Sequence, residues 1–206
     1  MLVLNPAAKG HLHDMKGYRV ALILLVIFAT GCAHNISINP DTSRLIAAKM
    51  EKIDYSVGYH ISADVLDMAV ETPGGGGDNV TYTPYRDSES ALFTVLSKKF
   101  ANVYLVKSMN DNTFIEDNEI KLIFLPTITT NSSSSSLFTW PPTYFSVDLS
   151  VKALNHKGEI IWQDSIYATG EAEFSEFKSD FGLAAKRATE KAFMELAKKI
   201  ENVPEL

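Results

Sequence analysis

An uncharged apolar run from Val20 to Ala29 decides how much of this chain is available to fold. A helix that crosses a membrane needs about 20 apolar residues, because the hydrocarbon core is roughly 30 Å thick and a helix rises about 1.5 Å per residue. This run has ten, so it is short for a membrane span. Lys16 and Arg19 precede it and small residues follow it, which is the pattern of a cleaved export signal. The sequence therefore predicts that residues 1–31 are a signal peptide and that the folded protein begins after them.

Cys32 is the only cysteine of the chain, and it directly follows Ala29-Thr30-Gly31. An aliphatic residue, two small residues and a cysteine in this order resemble the lipobox of bacterial lipoproteins. The resemblance implies that the signal is cut before Cys32, that its thiol is diacylated and that the new N-terminus is acylated. Several acyl chains give stable anchoring, since each buried methylene contributes about 0.8 kcal/mol. The alternative is an unmodified cysteine buried in the fold, which is the usual state of a lone cysteine.

Ala33, the residue after the cysteine, bears on the destination of the protein. In the Gram-negative lipoproteins that this segment resembles, Asp at this position retains the protein in the inner membrane. The resemblance therefore implies sorting to the outer membrane, with the lipid anchor as the membrane contact and the domain facing the periplasm.

The chain is predicted to divide into three segments. Met15 followed by Lys16 is an ordinary signal-peptide start, so we expect translation to begin at Met15 and residues 1–14 to be an upstream extension. Residues 32–50 begin with a stretch of little periodicity and are expected to form a lipidated tether. Residues 51–206 have the length of one domain, which we expect to be a single α+β unit.

The charge of the mature protein argues against one class of function. Removal of residues 1–31 lowers Lys plus Arg from 19 to 16 and Asp plus Glu from 25 to 24, which leaves a net charge of −8. Nucleic-acid binding needs a basic face that neutralises phosphates, so we expect no nucleic-acid partner. A single cysteine allows no internal disulfide, and the fold must therefore be stabilised by its apolar core.

Apolar periodicity predicts an α+β two-layer sandwich, in which two helices pack on one face of a mostly antiparallel sheet of four to five strands. The clearest strand is 145–153, where apolar and polar residues alternate, and residues 155–158 form the turn to the next strand. The last helix carries an alanine-rich apolar stripe and is expected to be capped by Ser179 or Asp180, whereas Asp87 is expected to cap the other helix. The predicted strands cover 52–63, 80–85, 102–108, 120–129, 145–153 and 159–170, and the predicted helices cover 87–100 and 179–202.

The lipobox cysteine, the element order and the hairpin sequence NHKGEIIWQDS together resemble a loose group of envelope lipoproteins. The group contains the lipopolysaccharide-assembly lipoproteins, the YajG-type lipoproteins and the auxiliary lipoproteins of lipid-transporting ABC systems. The turn at Gly158 followed by Ile160-Ile161-Trp162 is similar to a hairpin in several of them. The resemblance implies an accessory or assembly component of an envelope protein complex, not an enzyme. Because the hairpin is structural, the resemblance transfers no active-site residue.

The residue types that catalyse reactions or bind phosphate and metal ions form no recognised motif in this sequence. Gly74–Gly77 lacks the Gly-Lys-Ser/Thr ending of a phosphate-binding loop and is interpreted as a flexible loop. His34, His60 and His156 lie too far apart for a zinc motif, so no metal and no cofactor is predicted. The carboxylates within residues 171–176 suit either acid–base chemistry or a solvated loop, and the loop is favoured. With no Gly-x-Ser-x-Gly elbow in the chain, no catalytic residue is predicted.

The stretch SSSSSLFTWPPTYF, residues 132–145, is the remaining candidate site. Its polar tract leads to Leu137, Phe138 and Trp140, and two prolines directly after the tryptophan stiffen the chain. Aromatic side chains exposed on a loop often mark contacts with protein or membrane, so these three residues are predicted as a partner contact. The alternative is that Trp140 and Phe138 fold back as a lid on the core.

Three functions remain open. The favoured one is a non-enzymatic, lipid-anchored lipoprotein that supports an envelope transport or secretion complex through a sheet edge or through residues 132–145. The second is a lipoprotein that holds a lipid or glycan fragment in a cleft between helices and sheet, and the third is a periplasmic hydrolase. An exposed apolar patch or an unpaired strand edge favours the first, a closed dry pocket the second, and a convergent catalytic group the third.

Overall fold

The structure is a computed structural model that describes residues 33–177 and 180–203. The predicted signal peptide over residues 1–31, the predicted lipidation site Cys32 and the expected capping residue Ser179 lie outside the described residues. The strands are β1 (Ala33–Asn35), β2 (Ile53–Tyr59), β3 (Val70–Pro73), β4 (Asn79–Tyr82), β5 (Phe100–Leu105), β6 (Ile120–Ser133), β7 (Tyr144–Asn155) and β8 (Ile160–Glu171). The helices are α1 (Ser43–Ala47), α2 (Ala63–Leu66), α3 (Pro84–Lys99), α4 (Asn112–Asp117) and α5 (Leu183–Glu201), with one turn of 3-10 helix at Phe174–Glu176.

A five-stranded sheet forms the centre of the described domain, in the order β5-β2-β6-β7-β8. β2 runs parallel to both β5 and β6, whereas β7 pairs antiparallel with β6 and with β8. The parallel pairs follow from the connections, because α3 lies on the path from β2 to β5 and α4 lies between β5 and β6. The predicted α+β two-layer sandwich is confirmed, with a sheet of mixed pairing in place of a mostly antiparallel one.

α3 and α5 cover one face of this sheet and enclose the main core with it. The alternation predicted for residues 145–153 places every second side chain of β7 in that core: Phe145, Val147, Leu149, Val151 and Ala153. The stripe predicted for the last helix is buried at Ala185, Ala188, Ala192, Leu196 and Ile200, whereas Phe181, also predicted in it, precedes α5 and is exposed. Asp180, the other expected cap, makes no capping hydrogen bond, and its carboxylate accepts Lys186 Nζ at 3.0 Å.

Gly170 and the alanines of α5 allow this helix to approach β8 very closely. A Cβ built on Gly170 would lie 2.1 Å from the carbonyl oxygen of Ala184 and 2.5 Å from the amide nitrogen of Ala188. Both atoms belong to the helix backbone and cannot rotate away, so glycine is required where α5 crosses this strand.

Basic side chains of α5 reach over the outer edge of β8. Arg187 Nη1 donates to the carbonyl oxygen of Glu171 at 2.8 Å, and Lys191 Nζ donates to that of Thr169 at 2.8 Å. The carbonyls of an edge strand are the groups that an added strand would bond, so these two acceptors are already occupied within the domain.

A second sheet of three short strands, in the order β1-β4-β3, is anticipated by the sequence only at β4, which overlaps the predicted strand 80–85. Residues 33–50, expected to form a tether, lie on the domain from Ala33 onward, because Ile38 and Leu45 insert their side chains into the core. Asp87 was expected to cap α3, but its carboxylate accepts the amide of Ile38 at 2.8 Å. The start of the described chain is thereby fixed to the helical layer.

The opposite face of the large sheet is covered at one end only. There α4, which lies between the predicted strands 102–108 and 120–129 and is not itself predicted, packs Phe114 and Ile115 against Val106, Ile120 and Ile123. The rest of this face carries mostly polar side chains of β7 and β8 that are exposed or half-buried. Among the helices in the described ranges, none combines the length and apolar character that crossing a membrane requires.

Candidate functional site

Two loops of unusual composition lie against each other at one end of the domain. The glycine loop, residues 74–78, joins β3 to β4, and the serine loop, residues 134–143, joins β6 to β7. The amide of Gly75 donates to the carbonyl oxygen of Trp140 at 2.8 Å, so the two loops are bonded backbone to backbone. We refer to the pair of loops as the loop platform.

Close backbone contact explains Gly74 and Gly75, and positive φ angles explain Gly76 and Gly77. A Cβ built on Gly74 would lie 2.4 Å from the carbonyl oxygen of Trp140, and one built on Gly75 would lie 2.0 Å from that of Thr139. Gly76 has a φ of +66°, a conformation that L side chains rarely adopt. The sequence suggests a flexible loop here. In the structure the loop packs its backbone directly on the serine loop, which leaves no room for a side chain at Gly74 or Gly75.

Serine hydroxyl groups hold the serine loop in one conformation. Ser132 Oγ, at the end of β6, donates to the carbonyl oxygen of Pro73 at 2.5 Å. Ser136 Oγ accepts the amides of Phe138 and Thr139 at 3.2 and 3.1 Å. Short polar side chains that bond nearby backbone amides stabilise turns, so the serine tract forms a built loop.

Trp140 folds back into the loop platform. Its ring stacks on the imidazole of His34 with ring centroids 4.1 Å apart and planes 14° apart, and the ring of Phe181 lies 4.8 Å away. His34 Nε2 lies 3.0 Å from Asp78 Oδ2, which holds β1 against the glycine loop. Trp140 therefore takes the position of the lid that the sequence left as an alternative.

Leu137 and Phe138 lie at the tip of the serine loop and face solvent, with exposed fractions of 82% and 95%. The structure thus divides the three predicted contact residues, since Trp140 packs inward and the other two project outward. We call Leu137 and Phe138 the apolar tip. Their role as a partner contact stays a prediction.

The three histidines singled out in the sequence occupy separate places. His34 belongs to the stack under Trp140, His60 Nδ1 hydrogen bonds to the carbonyl oxygen of Val106 at 2.7 Å, and His156 lies in the turn between β7 and β8. Within residues 33–177 and 180–203, no group of three or more His, Cys, Asp or Glu is placed to hold a metal ion.

The carboxylates of residues 171–176 form structural contacts. Arg187 Nη2 lies 2.7 Å from Glu176 Oε1, and this hydrogen bond lowers the pKa of Glu176 to about 2. The same carboxylate accepts the amide of Glu173 at 2.8 Å and so caps the 3-10 turn. A carboxyl with so low a pKa stays ionised near neutral pH, which is unsuited to a general acid.

Acid is expected to weaken the fold. The hydrogen bond from Arg187 lowers the pKa of Glu176 to about 2, and the one from Lys199 lowers the pKa of Asp164. A carboxyl whose pKa is lower in the folded than in the unfolded protein stabilises the fold above its unfolded value, near about 4, and loses this contribution as the pH falls through the folded value. Urea midpoints should therefore be level above about pH 5 and fall towards pH 2. Glu176→Gln should flatten part of this slope, and an unchanged midpoint across the range would contradict these ion pairs.

The clefts found on the described surface are open to solvent. One of about 430 Å³ lies beside α3, where Tyr59 Oη donates to Glu89 Oε1 at 3.0 Å and burial raises the pKa of Tyr59. Another of about 480 Å³ lies between α4 and the turn at residues 155–158. Sequence reasoning missed the Tyr59–Glu89 pair, because its members belong to separate elements and no motif links them.

Comparison with known proteins finds matches among solved structures only. No family model matches the sequence, and no curated protein matches it. Among solved structures, the chain is similar to a Xanthomonas campestris protein of family DUF330, with 11% identity and a TM-score of 0.40 over 83% of this chain and 91% of that one. It is also similar to a PelC dodecamer from Paraburkholderia phytofirmans, with 13% identity and a TM-score of 0.40 over 73% of this chain and 94% of that one. At these TM-scores neither structure decides the fold or the function of this chain.

Proposed function

We propose that this protein is a lipid-anchored, non-enzymatic lipoprotein of the bacterial cell envelope. Cys32 carries the lipid anchor after removal of residues 1–31, and the domain faces the periplasm from the outer membrane. There it acts as an accessory or assembly component of an envelope transport or secretion complex and uses no cofactor. The support for the anchor is the sequence around Cys32, with its positive flank, short apolar run and small-residue exit.

The observation that carries the proposal of a contact within the envelope is the apolar tip on its built support. Leu137 and Phe138 are exposed although burial of apolar surface contributes about 25 cal/mol per Å². The loop that presents them is held by backbone hydrogen bonds to the glycine loop and by serine hydroxyl groups, so its conformation is formed before it contacts another component. Exposed apolar groups on a fixed loop are typical of a contact surface, and we assign the tip as the contact of the domain with another envelope component.

Replacement of Cys32 by Ser is expected to abolish lipidation. The wild-type protein, produced in a Gram-negative host fed an alkyne fatty acid, should take up the label and fractionate with the outer membrane, because acylation requires the thiol. Cys32→Ser should carry no label and leave that fraction. Phe138→Ser is the matched control, and it should keep the label, since it leaves the lipidation segment intact. Equal labelling of the wild type and Cys32→Ser would contradict the anchor.

Affinity purification from detergent-solubilised envelopes tests the accessory role. We expect the tagged wild-type protein to recover one defined set of envelope proteins, in constant proportion across two detergents. Recovery of a bound lipid or glycan fragment without protein would favour the ligand-binding alternative. Recovery of the protein alone would contradict the accessory role, even with the anchor present.

A further inference from the structure

We propose that the apolar tip, Leu137 and Phe138, inserts into the lipid leaflet to which Cys32 anchors the chain, and so fixes the orientation of the domain on the membrane. This inference rests on the proposed lipidation of Cys32 and names lipid as the component that the tip contacts. It is carried by the short connection after Cys32, by the position of the tip and by the absence of charged residues from the serine loop itself.

The connection between the lipidation site and the folded domain has no spacer. β1 begins at Ala33, the residue that follows Cys32, and its three residues pair with Asn79, Val80 and Thr81 of β4. Consecutive Cα atoms of a chain are about 3.8 Å apart, so an acylated Cys32 sits one residue from a strand that is part of a sheet. The part of the domain around β1 is therefore held at the membrane surface.

The apolar tip lies at this same end of the domain. His34 of β1 stacks on Trp140, and Asp78 of the glycine loop lies 3.0 Å from His34. Phe138 precedes Trp140 by two residues, so at most about 7 Å of chain separates it from the residue whose ring packs on β1. A leaflet that holds the N-terminus of β1 is thus the surface nearest to Leu137 and Phe138.

The chemistry around the tip suits the interface of a bilayer. In a chain of which 21% of residues are charged, no Asp, Glu, Lys or Arg occurs between Lys121 and Asp148. The serine loop offers hydroxyl groups, a leucine and a phenylalanine, and the headgroup region of a bilayer accepts neutral polar groups beside apolar and aromatic ones. A carboxylate at the tip would face a surface of anionic phosphates, and the sequence places none there.

The size of the apolar tip also favours lipid over protein. A stable protein interface buries about 800 Å² on each partner. Two side chains supply only a few hundred Å², since even a fully buried aromatic side chain covers roughly 150–250 Å². A small projecting pair can enter a leaflet without a shaped partner surface, and the acyl chains on Cys32 already hold the protein there.

Photocrosslinking in vesicles tests the insertion directly. Full-length acylated protein with p-benzoylphenylalanine in place of Phe138 is purified and reconstituted into vesicles of phosphatidylethanolamine with phosphatidylglycerol. The matched control carries the same amino acid in place of Ile160, which is 54% exposed and lies at the far end of β8. Twelve residues of β8 span roughly 35–40 Å, whereas interfacial side chains penetrate about 5–10 Å, so the control position lies out of reach of lipid.

We expect about tenfold or more phospholipid adduct at position 138 than at position 160, measured by mass spectrometry after irradiation. Equal yields at the two positions, no lipid adduct at 138, or adducts to a second copy of the chain would each overturn the insertion. The intact mass of the same sample reports the acyl chains on Cys32. With acyl chains present and no lipid adduct at 138, this inference alone fails; without acyl chains, the proposed anchor fails and the inference with it.

Discussion

Gly170→Ala is expected to lower the free energy of unfolding by about 3 kcal/mol, at the upper end of what overpacking of a core usually costs. The new Cβ would lie 2.1 Å from the carbonyl oxygen of Ala184 and 2.5 Å from the amide nitrogen of Ala188. Neither atom can move without the helix, so α5 has to shift away from β8 along its whole buried stripe. The loss is measured as the change in urea midpoint, followed by far-ultraviolet circular dichroism.

The matched control for this substitution is Gly158→Asn, in the turn between β7 and β8. Gly158 has a φ of +79° and no neighbour within 4 Å of an added Cβ, and Asn tolerates this left-handed conformation. Its urea midpoint should stay close to that of the wild type. If Gly170→Ala behaves like this control, α5 does not approach β8 as closely as the structure indicates.

Gly75→Ala is expected to detach the serine loop from the glycine loop without unfolding the domain. The added Cβ would lie 2.0 Å from the carbonyl oxygen of Thr139 and 2.8 Å from Ser134 Oγ, and the resulting displacement of the loops would break the bond from Gly75 to Trp140. Because the loops lie at the end of the sheet, we expect the substitution to lower the local stability of the loops. Hydrogen exchange of amides in residues 134–143 should become at least about tenfold faster, while amides of β7 keep their protection.

Gly77→Asn provides the control for the glycine loop. Gly77 also has a positive φ, of +89°, but an added Cβ there meets nothing within 4 Å. Exchange in residues 134–143 should then remain at the wild-type rate. Fast exchange in this control, or slow exchange in Gly75→Ala, would contradict the close contact of the two loops.

The parts of the fold that the sequence predicts are those encoded over one contiguous stretch. Alternation along residues 145–153, the turn at Gly158 and the alanine stripe of the last helix each fall within one element, and all three are confirmed. β1 and β3, which the sequence does not predict, have only three and four residues, which is too short for a period to be visible. The pairing of Ala33 with Asn79 joins distant parts of the chain, so no local sequence pattern predicts it.

The candidate site is predictable in composition and not in geometry. The sequence draws attention to Leu137, Phe138 and Trp140, because aromatic residues follow a serine tract. It cannot say which of them points inward, since the direction of Trp140 is set by His34 and Phe181, which lie far away along the chain. The glycine run is uninformative in the sequence for the same reason, as its backbone partner is in another loop.

The hydrogen bonds that Arg187 and Lys191 make over the edge of β8 have a consequence for molecules crowded on a surface. On the membrane to which we propose that Cys32 anchors the chain, molecules diffuse in two dimensions and meet often. A neighbour approaching β8 finds the carbonyl oxygens of Thr169 and Glu171 already accepting hydrogen bonds from Lys191 and Arg187. Addition of a strand from another molecule is thereby hindered at this edge, so α5 completes the core with its inner face and protects the edge of β8 with its basic side chains.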